Sequence, residues 1–190
     1  MKKLILFTII FTIGCEDTIN HNENHNSNLL FISSEGTYGN GDGSISVFND
    51  NEMIQTVEEV GDVVQSIIVN NNHLFVTINN SHKIKRYTIT ESGLNLPGID
   101  IETSNSSPRE MVIVNDKLYF TNWNSRDVKV LDLVTYSIVS AITLDGVPED
   151  IVSDGEFLWV SIPMLELYDG NNGSSVLKID IESESVVATY

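Results

Sequence analysis

The residues of this sequence best suited to ligand chemistry are charged and aromatic side chains that fall between its apolar runs. Paired carboxylates can transfer protons or bind Ca²⁺, and an arginine can hold an anionic group through two parallel hydrogen bonds. Tyrosine and tryptophan rings offer flat contact surfaces with a polar tip. The candidates for ligand binding are Glu35, Tyr38, His82, Arg109, Trp123, Arg126, Glu149, Asp150 and Tyr168. For Arg109 two roles stay open: an anion contact, or an ion pair with Glu110 or Asp150.

The sequence lacks the motifs that carry the common catalytic chemistries. It has no G-x-S-x-G elbow, and no helix is predicted after the glycine-rich run 39–43 that would make it a phosphate loop. The run 169–173, DGNNG, does not match the spacing of an EF-hand, so Ca²⁺ is only a weak candidate cofactor. We therefore expect no metal site and no catalytic residue, and we favour a binding protein over an enzyme.

These candidate residues are positioned by a repeat. The segments LFIS, LFVT, LYFT and LWVS begin at Leu30, Leu74, Leu118 and Leu158, at spacings of 44, 44 and 40 residues. Each is followed by a polar loop, a second alternating run and a third apolar run, and three of the four are preceded by a further run. The unit therefore has four short strands, A to D, joined by Asn/Asp/Gly turns. No helical period follows the first residues, so the chain is predicted to be all-β.

A four-stranded antiparallel unit of this length is typical of a β-propeller blade. We predict a partial blade at 29–60 and blades at 61–102, 103–145 and 146–190. Alternate connections leave on opposite sides, so the B–C loops and the D-to-A entries share one side, the loop face. The A–B and C–D turns share the other side, the turn face. We expect the candidate residues on the loop face, with SPR (107–109) and NWNS (122–125) together.

The N-terminus predicts export and lipidation. Two lysines precede a ten-residue apolar run that is too short to span a bilayer, and Gly14 and Cys15 follow it. Cys15 is the only cysteine, so no disulfide can form within the chain, and its setting resembles the lipobox of bacterial lipoproteins. That resemblance makes 1–14 a signal peptide, Cys15 the lipid anchor and 15–28 a polar tether.

Charge excludes one class of partner. The formal net charge is −17, and it becomes −19 when a signal peptide containing Lys2 and Lys3 is removed. A chain this acidic is repelled by nucleic acid, so we predict no nucleic-acid partner.

The repeats also resemble known propellers. Tyr119-Phe120-Thr121-Asn122 is similar to the signature of the YVTN, or surface-layer, type of β-propeller. The segments 34–46, 107–111 and 146–151 resemble those of the surface lipoprotein propellers of Bacteroidetes-type bacteria. That group includes a seven-bladed lipoprotein that captures cobalamin beside an outer-membrane transporter. The resemblance implies a lipid-anchored module of the cell envelope, on the outer membrane and facing the cell surface or the periplasm, that binds a corrinoid-like ligand or a transporter.

This chain is shorter than the propellers it resembles, which close a ring of about seven blades. We expect the N-terminal half of a longer propeller, or two arcs that pair into one ring and make the chain self-associate. The alternative function is a propeller enzyme of redox, lyase or phosphatase type, with its remaining catalytic residues outside this chain.

The repeat alignment separates two neighbouring rings. Tyr119 shares a column with Phe31, Phe75 and Trp159, which predicts packing between blades. Trp123 has no aromatic counterpart and lies where the strand leads into the next loop. We therefore predict that Tyr119 is structural and that Trp123 is a ligand contact.

Overall fold

The computed structural model describes residues 28–168 and 172–190, which form strands and turns and no helix. None of these residues lies in a helix long and apolar enough to cross a membrane. The predicted signal peptide 1–14, Cys15, the tether as far as residue 27 and positions 169–171 of the DGNNG run lie outside the described residues.

The described residues contain fifteen strands, which form four separate antiparallel sheets, and each sheet is one blade. Blade 1 contains β1 (Leu29–Ser34), β2 (Gly43–Asn49) and β3 (Glu52–Gly61). Blade 2 contains β4 (Val64–Asn70), β5 (His73–Ile78), β6 (Lys83–Thr90) and β7 (Gly93–Glu102). Blade 3 contains β8 (Pro108–Val114), β9 (Lys117–Asn122), β10 (Asp127–Asp132) and β11 (Ser137–Thr143). Blade 4 contains β12 (Ile151–Ser153), β13 (Phe157–Met164), β14 (Asn172–Asp180) and β15 (Ser185–Thr189).

The strands of every sheet lie side by side in chain order, which is the meander expected of propeller blades. Blades 2 to 4 have the predicted four strands, and blade 1 begins at the strand that corresponds to B. The predicted all-β fold and four-strand repeat are therefore confirmed, as an arc of four blades.

The apolar core lies between blades rather than within them. One buried cluster joins blades 1 and 2, including Val47 and Leu74, and a second joins blades 2 and 3 through Phe75 and Phe120. The third joins blades 3 and 4, where Tyr119 packs with residues of β13. Each blade is therefore stabilised mainly by burial against its neighbours.

Burial along the strands follows from this packing. Strands β5 and β9 lie in blades with neighbours on both sides, and every residue after the first is buried in each. Strand β1 of the first blade alternates instead, and Leu30 and Ile32 are 53% and 46% exposed. In the last blade, Val152 is 54% exposed on the corresponding outer side. Terminal blades thus have one covered and one open face.

The turn face is built from tight turns with local caps. Asn71 and Asn115 adopt positive φ in the A–B turns of blades 2 and 3, and Gly155 does so in blade 4, as such hairpin turns require. Asp132 accepts hydrogen bonds from the backbone N–H groups of Val134 and Thr135, and Asp180 accepts one from Ser183. These two aspartates, at equivalent positions of blades 3 and 4, therefore cap their C–D turns.

Candidate functional site

The loop face near the ring axis is organised by one hydroxyl group in each of blades 2, 3 and 4. The backbone N–H groups of Ser66, Glu110 and Asp150 donate to the side-chain hydroxyls of Thr77, Thr121 and Ser161 in the B strands of the same blades, at 3.0, 3.1 and 3.0 Å. Two of the hydroxyls also bond across to the following blade. Thr77 donates to the Arg109 carbonyl oxygen at 2.8 Å, and Thr121 donates to that of Glu149 at 2.7 Å. These bonds hold successive entry strands side by side.

Ser66, Glu110 and Asp150 are directly preceded in the chain by Gln65, Arg109 and Glu149. The side chains of these three preceding residues form one network. The Arg109 Nε and Nη2 atoms lie 3.1 and 2.5 Å from Glu149 Oε1. Its Nη1 donates to Gln65 Oε1 at 2.5 Å. The arginine side chain is only 14% exposed, so the network spans blades 2, 3 and 4 with little contact with water.

Glu149, rather than the expected Glu110 or Asp150, is therefore the ion-pair partner of Arg109. Glu110 instead contacts the side-chain amide of Gln65, whose Nε2 lies 3.5 Å from Glu110 Oε1. The guanidinium group is also occupied by Glu149 and Gln65, which argues against Arg109 as an open anion clamp.

The Trp123 side chain packs against this network. Its ring centroid lies 3.9 Å from Arg109 Cζ, a cation–π contact, and its Nε1–H donates to Glu149 Oε2 at 2.8 Å. The Tyr168 ring meets it edge-on, with centroids 6.3 Å apart, and Tyr168 is 84% exposed. Trp123 is partly exposed and not buried between blades, whereas Tyr119 is 1% exposed and packs in the core between blades 3 and 4.

A second column of polar residues lies beside the first, formed by Ser66, Glu110 and Asp150. Burial raises the pKa of Glu110, a weak hydrogen bond from Gln65 opposes the rise, and the negative charges of Asp150 and Glu149 add to it. Asp150 is exposed and accepts a hydrogen bond from the Ile151 N–H at 2.9 Å. Glu110 is thus a carboxyl group that favours its protonated form more than an ordinary glutamate.

Arg126 forms a separate pair with Glu166, with two contacts of 3.2 and 2.5 Å between the side chains. These side chains are 36% and 57% exposed, and the pair links the B–C loops of blades 3 and 4. The hydrogen bond from Arg126 lowers the pKa of Glu166, the positive charge of Arg126 adds to this effect, and the smaller effect of desolvation opposes it. Glu166 lies two residues before Tyr168 in the chain.

His82 supports a loop rather than the network around Trp123. Its Nδ1 atom accepts a hydrogen bond from the Ser107 backbone N–H at 3.2 Å, and its carbonyl oxygen accepts one from the Thr103 N–H at 3.0 Å. These bonds fix the entry loop of blade 3. The structure therefore gives His82 a structural role.

Glu35 and Tyr38 lie in the B–C loop of blade 1. The Glu35 carbonyl oxygen accepts a bond from the Val64 N–H, beside Gln65, and Tyr38 is 77% exposed. Asp62 ties this loop to blade 2, since its carboxylate accepts bonds from the Gly39 N–H and from Asn80. Among the described residues, the Tyr38 side chain makes no hydrogen bond or ring contact with the network.

The structure thus brings four of the nine candidates together, namely Arg109, Trp123, Glu149 and Tyr168. The predicted meeting of the two loops is confirmed, because the Trp123 and Asn124 N–H groups donate to the Ser107 and Ser106 carbonyl oxygens. Gln65 was missed because it has no charge or ring. Its position at the blade entry, in the column of Arg109 and Glu149, is the signal that identifies it.

The described residues contain no group of three or more His, Cys, Asp or Glu side chains placed to hold a metal ion. The arrangement around Trp123 is instead a set of fixed donors, acceptors and ring faces. Such a set can orient a ligand that stacks on an aromatic ring and hydrogen-bonds at its edge.

No protein-family model matches the chain, and no curated protein matches it. Solved structures do match. The chain is similar to hydrazine synthase of Kuenenia stuttgartiensis, with a TM-score of 0.65 and 18% identity over 77% of this chain and 42% of that one. It is also similar to the Pan2 WD40 domain of Neurospora crassa, with a TM-score of 0.63 and 12% identity over 86% of this chain and 46% of that one.

The chain spans less than half the length of either structure. At these identities the similarity shows the fold alone, and that fold is a β-propeller built from repeated four-stranded blades.

Proposed function

We propose that this protein is a lipid-anchored propeller of the YVTN type in the cell envelope, related to the surface lipoprotein propellers of Bacteroidetes-type bacteria. It acts as a binding module whose loop face captures a small ligand, of which a corrinoid is the first candidate, or contacts an outer-membrane transporter. The observation that supports binding at this face is the position of Trp123. Its ring is held by Arg109 and Glu149 and stays partly open beside the exposed Tyr168.

Rigid aromatic side chains with satisfied hydrogen bonds are suited to binding because few rotamers are lost when a ligand docks. The Trp123 indole already donates to Glu149, so its face is held at a fixed angle. Tyr168 is exposed and can close over a planar ligand. The centroids of the Trp123 and Tyr168 rings lie 6.3 Å apart, so a flat macrocycle could contact both rings.

Equilibrium dialysis with cyanocobalamin tests the ligand. We expect binding by the wild type and a loss of at least about fivefold in affinity for Trp123→Ala, since stacking on an aromatic ring contributes about 1–3 kcal/mol. Tyr190→Ala is the matched control, because Tyr190 is 67% exposed and its ring packs with Trp159 on the outer face of blade 4. Equal binding by the Trp123 and Tyr190 variants would remove the loop face from the proposal.

Metabolic labelling with a lipid analogue tests the anchor. The full chain expressed in a bacterial host should carry the label in the membrane fraction, and Cys15→Ser should lose it. Cys15 is the only cysteine, so no other thiol in the chain can accept the lipid. Label that persists in Cys15→Ser would overturn the proposed anchor.

The alternative is a propeller enzyme, and Glu110 is the observation in its favour. A partly buried carboxyl group with a raised pKa is the type of group that serves as a general acid. Further catalytic groups would have to come from outside this chain. Turnover that is lost in Glu110→Gln, with stacking ligands still bound, would favour the enzyme.

A further inference from the structure

The turn-face ends of two interblade clefts are occupied differently. Between blades 2 and 3, Tyr136 reaches back from the C–D turn of blade 3 and its ring lies 6.5 Å from that of Phe75. Arg86 Cζ lies 4.7 Å from the Tyr136 centroid, and Arg86 Nη1 donates to the Tyr136 hydroxyl at 2.9 Å. An aromatic ring and a guanidinium group, stacked together, fill this cleft.

The repeat identifies the corresponding residues between blades 3 and 4. The turn of blade 4 begins at Asp180 as that of blade 3 begins at Asp132, and Glu184, with φ of 50°, takes the place of Tyr136, with φ of 54°. Arg86 pairs in register with Phe75, and Val130 pairs in register with Tyr119. Within the part of the chain that the structure describes, the second cleft therefore lacks the counterparts of the Tyr136 ring and the Arg86 guanidinium group.

A cavity of about 480 Å³ occupies this end of the second cleft. Its apolar wall is formed by Val114, Tyr119 and Ile181. The volume falls in the range of small-molecule sites. Tyr119 lines the cavity and is 1% exposed, and the hydrogen bonds found among the described residues include none made by its hydroxyl. A hydroxyl at a cavity wall is a polar group to which a ligand can hydrogen-bond.

The rim of the cavity is acidic. Its carboxylates are those of Asp116, Asp132, Glu182 and the adjacent Glu184. The one cation on this rim is Lys117, whose Nζ lies 3.5 Å from Glu184 Oε1, and the two side chains are 43% and 27% exposed. Burial and the nearby Glu184 charge raise the pKa of Tyr119, so its hydroxyl keeps its proton at neutral pH. A negative rim around an apolar wall selects positively charged ligands with an apolar body.

We infer that this cleft binds a small planar organic cation, an aromatic amidine or amine, in the volume that Tyr136 and Arg86 fill in the neighbouring interface. The ring lies against Val114, Tyr119 and Ile181. The positive group lies at Glu184, with the Tyr119 hydroxyl as a further hydrogen-bond partner. The site is on the turn face and is independent of the proposed site at Trp123.

Benzamidine is the probe because it combines an aromatic ring with an amidinium group. The stacked Tyr136 and Arg86 side chains provide the same two groups in the neighbouring cleft. Chemical-shift titration of the ¹⁵N-labelled full chain with benzamidine should move amides of the 115–117 and 181–184 turns. Benzoate, of the same shape and opposite charge, should move them far less. Glu184→Gln should weaken benzamidine binding by about ten- to a hundredfold, the usual range for a lost charged hydrogen bond. Glu102→Gln, an exposed acid in blade 2, should leave it unchanged.

Glu184→Tyr recreates the occupied cleft and should abolish binding. If that variant does not fold, Tyr119→Phe and Glu184→Gln carry the test, because both keep the native shape. The inference is wrong if benzamidine moves no turn-face amide, if benzoate binds as well, or if folded Glu184→Tyr binds benzamidine like the wild type.

Discussion

Two arginine–carboxylate pairs on the loop face have similar geometry and different surroundings. Arg109 is 14% exposed and Glu149 is 29% exposed, whereas Arg126 and Glu166 are 36% and 57% exposed. Water screens the second pair far more than the first. Similar contacts should therefore differ in their contribution to stability.

Arg109→Met should lower the free energy of unfolding by about 2–4 kcal/mol, because it leaves Glu149 partly buried without its cation. It should also change the Trp123 fluorescence, since the guanidinium group leaves the indole face. Arg126→Met is the matched control and should cost much less, because water screens the exposed Arg126–Glu166 pair. Urea denaturation followed by fluorescence and circular dichroism measures both. Equal costs would mean that the Arg109 network is no more protected than a surface pair.

Glu110→Gln should stabilise the protein at neutral pH. The folded-state pKa of Glu110 is raised above its ordinary value of 4.5, so its contribution to stability is fully present below that pH and is lost as pH rises through the folded pKa. Glutamine has no such loss and can keep the contact with Gln65. The melting temperature of the variant should exceed that of the wild type at pH 7.5, and the difference should shrink toward pH 4. A difference that does not depend on pH would contradict the assignment.

At the scale of the strand, one aromatic column contains rings in two environments. Tyr119 lies between two blades and is 1% exposed, whereas Trp159 lies on the open side of blade 4, where its ring meets Tyr190 and lies near Lys178. Tyr119→Ala should cost about 3–5 kcal/mol, as core truncations of aromatic residues do, and Trp159→Ala less than half as much. Chemical denaturation of the two variants measures this. A larger loss for Trp159 would mean that the outer face of blade 4 is covered in solution.

The hydroxyl of Thr121 joins a blade to its neighbour. It is fully buried, accepts from the Glu110 N–H and donates to the Glu149 carbonyl oxygen. Thr121→Val keeps the shape and removes both bonds, which should cost about 1–3 kcal/mol. Thr121→Ser keeps the hydroxyl and should recover most of the loss. If serine and valine are equally destabilising, packing of the methyl group and not the hydrogen bonds explains the effect.

The repeats in the sequence predict well which residues form strands and on which face each loop lies. They predict less well which side chains pair with each other on those faces. Aligning four copies places Tyr119 in the core and Trp123 on the loop face, because burial repeats with the blade. The pairing of Arg109 with Glu149 crosses between blades and depends on which residues share a column around the axis. His82 illustrates the same limit, since its bond to Ser107 depends on how two loops cross.

At the scale of the whole molecule, repulsion among the many negative charges destabilises the folded state. The formal net charge is −17, and several carboxylates on the loop face are paired while most others are exposed. Repulsion among exposed carboxylates weakens when salt screens it. Raising NaCl from about 20 mM to about 500 mM, where the Debye length falls from tens of ångströms to a few, should raise the melting temperature. A melting temperature that falls with salt would show that attractive pairs such as Arg109–Glu149 outweigh the repulsion.

The hydroxyl-to-carbonyl bonds at the axis also bear on how such a chain changes in length. Each B-strand hydroxyl receives a bond from its own blade, and those of Thr77 and Thr121 give one to the blade that follows, so the bonds run in a single direction around the axis. If a copy of blade 3 were inserted after blade 2, its entry carbonyl oxygen would accept a bond from the B-strand hydroxyl of the blade before it. Its own B-strand hydroxyl would donate to the entry carbonyl oxygen of the blade after it. Gain or loss of whole blades therefore leaves no axial polar group unmatched at the new junction. This gives a physical reason for a gene to lengthen or shorten in units of one blade.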